Sequence, residues 1–111
     1  MSALPPHILD VVLQLEGELK DFYGERYRGL LLYGSYARGT AWEGSVVDLL
    51  LLLDGPVDPV KEIVASEPVT WPLSLNSGLV LSVMPASFDA FQRGGGIFLD
   101  VVRQEAIPVT A

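Results

Sequence analysis

The sequence predicts an α+β fold, on three observations. Apolar residues near the start recur with a helical period, two short apolar runs end in glycine turn signals, and further helical segments alternate with such runs along the rest of the chain. From Ile8 the residues Ile8, Val12, Leu15, Leu19 and Phe22 follow at spacings of four, three, four and three, which places them on one helix face as core. Pro5 and Pro6 suit the first turn of that helix and Gly24 its end.

Leu30 to Tyr33 is a short apolar run ending at Gly34, and Val46 to Leu53 is a longer one ending at the Asp54-Gly55 turn. Both read as strands buried on two faces. Asp58 followed by Pro59 reads as an N-cap and first helical residue, opening a short helix through Ala65 that Pro68 prevents from continuing. Val69 to Ser77 is ambiguous, because Pro72 would interrupt a central strand. Leu79 to Met84 is then expected as a third strand, and Ser87 as the cap of a helical turn over Phe88 to Gln92. After the break at Gly94-Gly95-Gly96, the residues Ile97, Phe98, Val101 and Val102 predict a helical face, and Ile107 to Val109 a closing strand.

Composition narrows the function. At 111 residues the chain predicts a single domain over 1–111, with no room for a second catalytic one. Half the residues are hydrophobic and mean hydropathy is +0.37, so part of the apolar surface is expected to be covered by another chain, in a homo-oligomer or a complex. Fourteen acidic against seven basic residues give a net charge of −7, the wrong sign for holding nucleic acid by counterion release. With no cysteine, disulfides, thiolate metal sites and cysteine nucleophiles are excluded. Met1 to Pro6 lacks the pattern of a signal peptide, and the longest apolar run, Leu49 to Leu53, is far shorter than a membrane span. A cytoplasmic location is expected.

The residues that can carry chemistry lie in Leu32-Tyr33-Gly34-Ser35-Tyr36-Ala37-Arg38-Gly39-Thr40-Ala41, followed by Ser45-Val46-Val47-Asp48-Leu49-Leu50-Leu51. A strand that ends in Gly-Ser and turns into a helical segment exposes free backbone N–H groups, and the missing side chain of Gly34 lets an anion come close to them. The stretch resembles the signature of the minimal nucleotidyltransferases of the DNA polymerase β-like superfamily, in which Gly-Ser-x-Ala-Arg-Gly precedes Ser-Asp-x-Asp and an apolar strand. A later segment, Phe-Leu-Asp-Val-Val-Arg-Gln-Glu-Ala-Ile, agrees more loosely, so the resemblance extends over the whole chain.

The resemblance implies a mixed β-sheet flanked by α-helices, and transfer of a nucleoside monophosphate, AMP from ATP, to a hydroxyl with two divalent ions, Mg²⁺ or Mn²⁺. Strand residues two apart point to one side, so two carboxylates at that spacing converge on such ions, which neutralise the triphosphate and activate the hydroxyl. By the same resemblance Gly34, Ser35 and Arg38 contact the nucleotide phosphates, and Asp48 is the catalytic metal ligand. The partner it implies is a small helical HEPN-type protein, as in toxin–antitoxin pairs in which the nucleotidyltransferase adenylylates its partner.

Two positions depart from the pattern. Val46 stands where the first carboxylate belongs, and the neighbouring strand, which by the resemblance supplies a third carboxylate, offers Ser82, with no Asp or Glu between Glu67 and Asp89. A valine cannot hold a cation and a serine hydroxyl does not offset its charge, so a second expectation is a catalytically silent module acting through a partner. Glu43 and Asp54 are the nearest substitutes, one before the strand and one at its far end. Asp48 is either a residual metal ligand or a hydrated carboxylate at an open strand end. Arg38 can hold phosphate or pair with an acidic side chain, and Tyr36 and Trp42 can stack on a base or pack on the domain. His7, in the first helical turn, is expected in solvent.

Overall fold

The computed structural model describes residues 4–94 and 96–109. Helix α1 (Pro6–Tyr23) leads through a 3₁₀ turn at Gly24–Arg26 into strand β1 (Tyr27–Tyr33), a single helical turn α2 (Ser35–Arg38) and strand β2 (Val47–Leu53). Helix α3 (Pro59–Ser77), strand β3 (Leu81–Ser87), helices α4 (Phe88–Arg93) and α5 (Ile97–Glu105) and the two-residue strand β4 (Ile107–Pro108) follow. The sheet has the order β3-β2-β1-β4, with β1 antiparallel to β2 and β4, and β2 parallel to β3. It is the expected mixed sheet flanked by helices. Each edge strand contains a proline, Pro85 in β3 and Pro108 in β4.

Strand alternation divides the core in two. Val47, Leu49, Leu51 and Leu53 join Leu30, Leu32 and the α1 residues Ile8, Val12, Leu15 and Leu19 in the larger cluster, which α3 completes through Leu73. Leu50 and Leu52 face the other way, toward Val102 of α5, with Leu31, Tyr33, Met84 and Phe91 around them. β2 is therefore covered on both faces from Leu49 to Leu53, as that unbroken apolar run predicts. A bulge between Tyr27 and Gly29 turns Tyr27 onto the α1 side, where its hydroxyl donates to Glu16 at 2.7 Å.

Several boundaries differ from expectation for local reasons. Phe22 is 47 % exposed and Tyr23 packs on the core instead, because a strict three–four spacing drifts by about 40° against a 3.6-residue period over the two heptads from Ile8 to Phe22. The helix opened by Asp58, whose side chain accepts from Lys61 N–H, does not stop at Ala65. It runs through Pro68 and Pro72 to Ser77 and ends on Gly78 in the left-handed region. Both prolines are exposed, so the carbonyls of Val64 and Pro68 that lose their N–H partners can turn to water. The buried side of α3 keeps Glu62, Ser66 and Leu73.

The third strand begins two residues later than expected. Leu79 is still engaged with the helix end: its carbonyl accepts from the Ser74 hydroxyl at 2.5 Å and its N–H donates to the Ser77 hydroxyl at 3.2 Å. Ser87 caps α4 as expected, accepting from Ala90 N–H at 3.2 Å. In α5 only Val102 of the four expected apolar residues is buried; Ile97 is 86 % exposed, and Phe98 and Val101 are also on the surface.

Candidate functional site

β1 and β2 end side by side, and the site is built at that edge. Tyr33, the last residue of β1, pairs in register with Asp48, and Asp48 pairs with Ser82 across the parallel ladder. Alternation puts Asp48, Ser82 and Tyr33 on the α5 side of the sheet, near its open end. Gly34 then leaves the strand at φ +77°, a left-handed value that glycine adopts without steric cost. A Cβ on Gly34 would lie 3.0 Å from Asp48 Cγ and 3.2 Å from Asp48 Cβ, and closer still to Oδ2. The space freed by the missing side chain is filled by the Asp48 carboxylate.

The Gly34 N–H is engaged as well. It donates to Glu105 Oε2 at 2.6 Å, and Arg38 Nη1 reaches the two Glu105 oxygens at 3.1 and 3.3 Å. Of the two roles open to Arg38, the structure has the ion pair. α2 is held by the bonds of Arg38 N–H to the Gly34 carbonyl and of Thr40 N–H to the Ser35 carbonyl, both at 3.0 Å. Its N-cap, Gly34, has no side chain to offer the first N–H groups. Gly34, Ser35, Arg38 and Asp48 are thus gathered at one corner as the sequence anticipates, with Glu105 as an unanticipated fifth member.

Glu105 was hidden because it is distant in sequence, on the last residue of α5, but one signal points to it. A helix C-terminus carries partial negative charge and disfavours a carboxylate, so an acid there is expected to have a partner elsewhere. Here the partner is the corner. The remaining candidates lie apart: Glu43 is exposed in the loop before β2, and Asp54 is tied to Arg28 at 2.7 Å at the far end. Of the two roles open to each aromatic, Tyr36 packs in the core, whereas Trp42 is 74 % exposed and does not. His7 is exposed, as expected.

The donors present do not fit two divalent ions. Val46 lies just outside β2 with 39 % of its surface exposed, Ser82 faces Asp48, and among the described residues no three His, Asp or Glu side chains converge. Burial raises the Asp48 carboxyl above its ordinary value of 3.8; Arg38 works against that rise and Glu105 adds to it. The folded chain therefore binds the Asp48 proton more tightly than the unfolded chain does. Stability falls as pH rises from about 3.8 through the raised value, and stays lower above it. Asp48→Asn is expected to stabilise the chain modestly at pH 7, with the gain vanishing below pH 3.8 in a series of thermal melts. An equal gain at pH 3 and pH 7 would show that desolvated charge is not its source.

Residues 12–79 match the model of the nucleotidyltransferase domain family. That span begins inside α1 and runs through the whole Gly34–Asp48 corner to the end of α3. No curated protein matches the sequence significantly. Among solved structures, the fold is similar to a chain of a crystal structure described as a toxin–antitoxin with AMP-PNP. The TM-score is 0.62 at 17 % identity, over 93 % of this chain and 73 % of that one. Among the described residues no helix is long and apolar enough to cross a membrane. With its family signature folded into one corner of a mixed sheet, this chain belongs to the nucleotidyltransferase domain family of polymerase β-like fold.

Proposed function

We propose that the chain acts by binding a protein partner, as the antitoxin half of a toxin–antitoxin pair with a small helical HEPN-type protein, and without metal-assisted transfer of AMP. The observation that carries the second half of this reading is Asp48 facing Ser82, with valine two residues before it. A two-metal site missing even one charged ligand loses several kcal/mol of transition-state stabilisation, roughly several powers of ten in rate. The corner keeps its shape for an anion, through Gly34, Ser35 and Arg38, without the charges that would hold Mg²⁺ or Mn²⁺ against it.

The partner half is supported by uncovered apolar surface. Val60, Val64, Trp71 and Leu75 are exposed along α3, where a shallow cavity of about 460 Å³ is lined by Val64, Glu67, Pro68, Trp71 and Pro72. Ile97, Phe98 and Val101 add a second patch on α5. Surface of this kind on a small acidic chain suits a protein partner in the cytoplasm rather than nucleic acid. The similarity in fold to a toxin–antitoxin protein supports the same pairing.

The test is an incubation of the chain and its co-expressed helical partner with α-labelled ATP and Mg²⁺. A stable complex with no label on either protein is the expected result, and label on a partner hydroxyl would sink the silent reading. AMP transfer from ATP is the second reading, favoured by the retained approach of Asp48 to Gly34. Val46→Asp places a second carboxylate two residues from Asp48 and is expected to raise Mg²⁺ or Mn²⁺ affinity by about tenfold or more in calorimetry. No gain would mean that the strand end has lost the geometry as well as the ligand.

A further inference from the structure

The Gly34 N–H and the Arg38 guanidinium are the two donors that an incoming phosphate would use, and a carboxylate of the chain itself already has both. We propose that Glu105 is an internal anion that closes this corner to polyphosphate, so that a nucleoside triphosphate enters only by displacing it. The inference rests on the reading that Gly34, Ser35 and Arg38 retain an anion-binding shape.

The contact has the chemistry of a substitute ligand. Oε2 accepts from the strand-ending N–H at 2.6 Å and from the guanidinium at 3.1 Å, the same pair of charge-assisted bonds that a phosphoryl oxygen would make. The carboxylate is only 19 % exposed, while Arg38 remains half open to solvent. Its own helix end gives it no favourable field, since the α5 C-terminus carries partial negative charge. Glu105 is therefore held by the corner rather than by α5.

Asp48 sharpens the exclusion. The corner contains two carboxylates, Asp48 and Glu105, and one guanidinium, so a triphosphate arriving beside an undisplaced Glu105 would add charge to an already negative site. Displacement does not require α5 to move. Val102 anchors the helix in the smaller core cluster, and the Glu105 side chain can swing outward about its own torsions.

The experiment uses inorganic tripolyphosphate, which needs neither a base pocket nor a metal, titrated into the ¹⁵N-labelled full chain while the Gly34 amide is followed by NMR. Glu105→Gln keeps the shape and removes the charge. It is expected to bind tripolyphosphate roughly tenfold or more tighter than the wild type, the size of one charge-assisted hydrogen bond. In the wild type the Gly34 resonance should move only as tripolyphosphate replaces the carboxylate. Glu105→Asp, which draws the carboxylate back by one methylene, should fall between the two, and the dispersion of each amide spectrum reports whether the variant is folded.

Equal or weaker binding by Glu105→Gln overturns the inference while the reading of the corner stands. No binding by the wild type or either variant overturns both. AMP transfer by the wild type, which would sink the silent reading, is a separate measurement and has no bearing on the order of these affinities.

Discussion

Gly34→Ala should destabilise the chain by roughly 2–6 kcal/mol, combining about 1–3 kcal/mol for a backbone region essentially reserved for glycine with about 1–3 kcal/mol for overpacking. The first part arises because φ at Gly34 is +77°. The second arises because the new methyl would meet the Asp48 carboxylate, 3.0 Å from its Cγ, at the end of the central strand. In urea unfolding this corresponds to a midpoint lower by roughly 1–3 M. Truncating the obstacle separates the two parts: Asp48→Ala in the Gly34→Ala background removes the carboxylate but keeps the Cβ at 3.2 Å, so it should recover most of the overpacking share and leave the backbone share. A double variant no more stable than Gly34→Ala would mean that the two residues are not coupled, and that the close approach is not what requires glycine there.

Leu51→Ala should cost about 3–5 kcal/mol, at the upper end of buried leucine truncations, and Leu50→Ala about 2–3 kcal/mol. Both side chains are fully buried on the same strand, so transfer from water is nearly equal for the two. The difference lies in what surrounds the cavity. Leu51 sits in the larger cluster, fixed by α1 and α3, where little can move to fill the space. Leu50 faces the smaller cluster, in which most neighbours, including Met84 and Leu31, are only partly buried and can shift toward it. Urea unfolding of the two variants ranks them; the reverse order would place the rigid core on the α5 side of the sheet.

Local chemistry made much of this fold readable. The Ile8–Leu19 stripe, the Asp58 and Ser87 caps and the apolar run of β2 all act over a few residues, and each lies where the pattern puts it. The misreadings came where tertiary placement overrode a local rule. Pro68 and Pro72 do not end α3, since exposure of that side leaves the freed carbonyls to water and the buried side pins the helix through Glu62, whose carboxylate pairs with Arg26 at 2.8 Å. Ile97, Phe98, Val101 and Val102 share an apolar spacing that predicts one helical face, although only the Val102 side of α5 is buried against the sheet. At the corner, Gly34, Ser35, Arg38 and Asp48 were legible because the motif keeps them close in sequence. Glu105 was not, because its contact with Gly34 spans 71 residues and depends on how α5 crosses the sheet.

The prolines in the two outer strands restrict how copies of this protein can meet. A growing fibril or a swapped dimer extends a sheet by offering backbone N–H and carbonyl groups along a free edge, and Pro85 and Pro108 each remove a donor from such a row. With β4 only two residues long, neither margin offers a regular template for a fifth strand. A chain this apolar would otherwise be prone to amyloid-like stacking at high concentration. Self-recognition through the backbone is discouraged, and most of the exposed large apolar side chains among the described residues lie on α3 and α5, where a partner's shape can be selected.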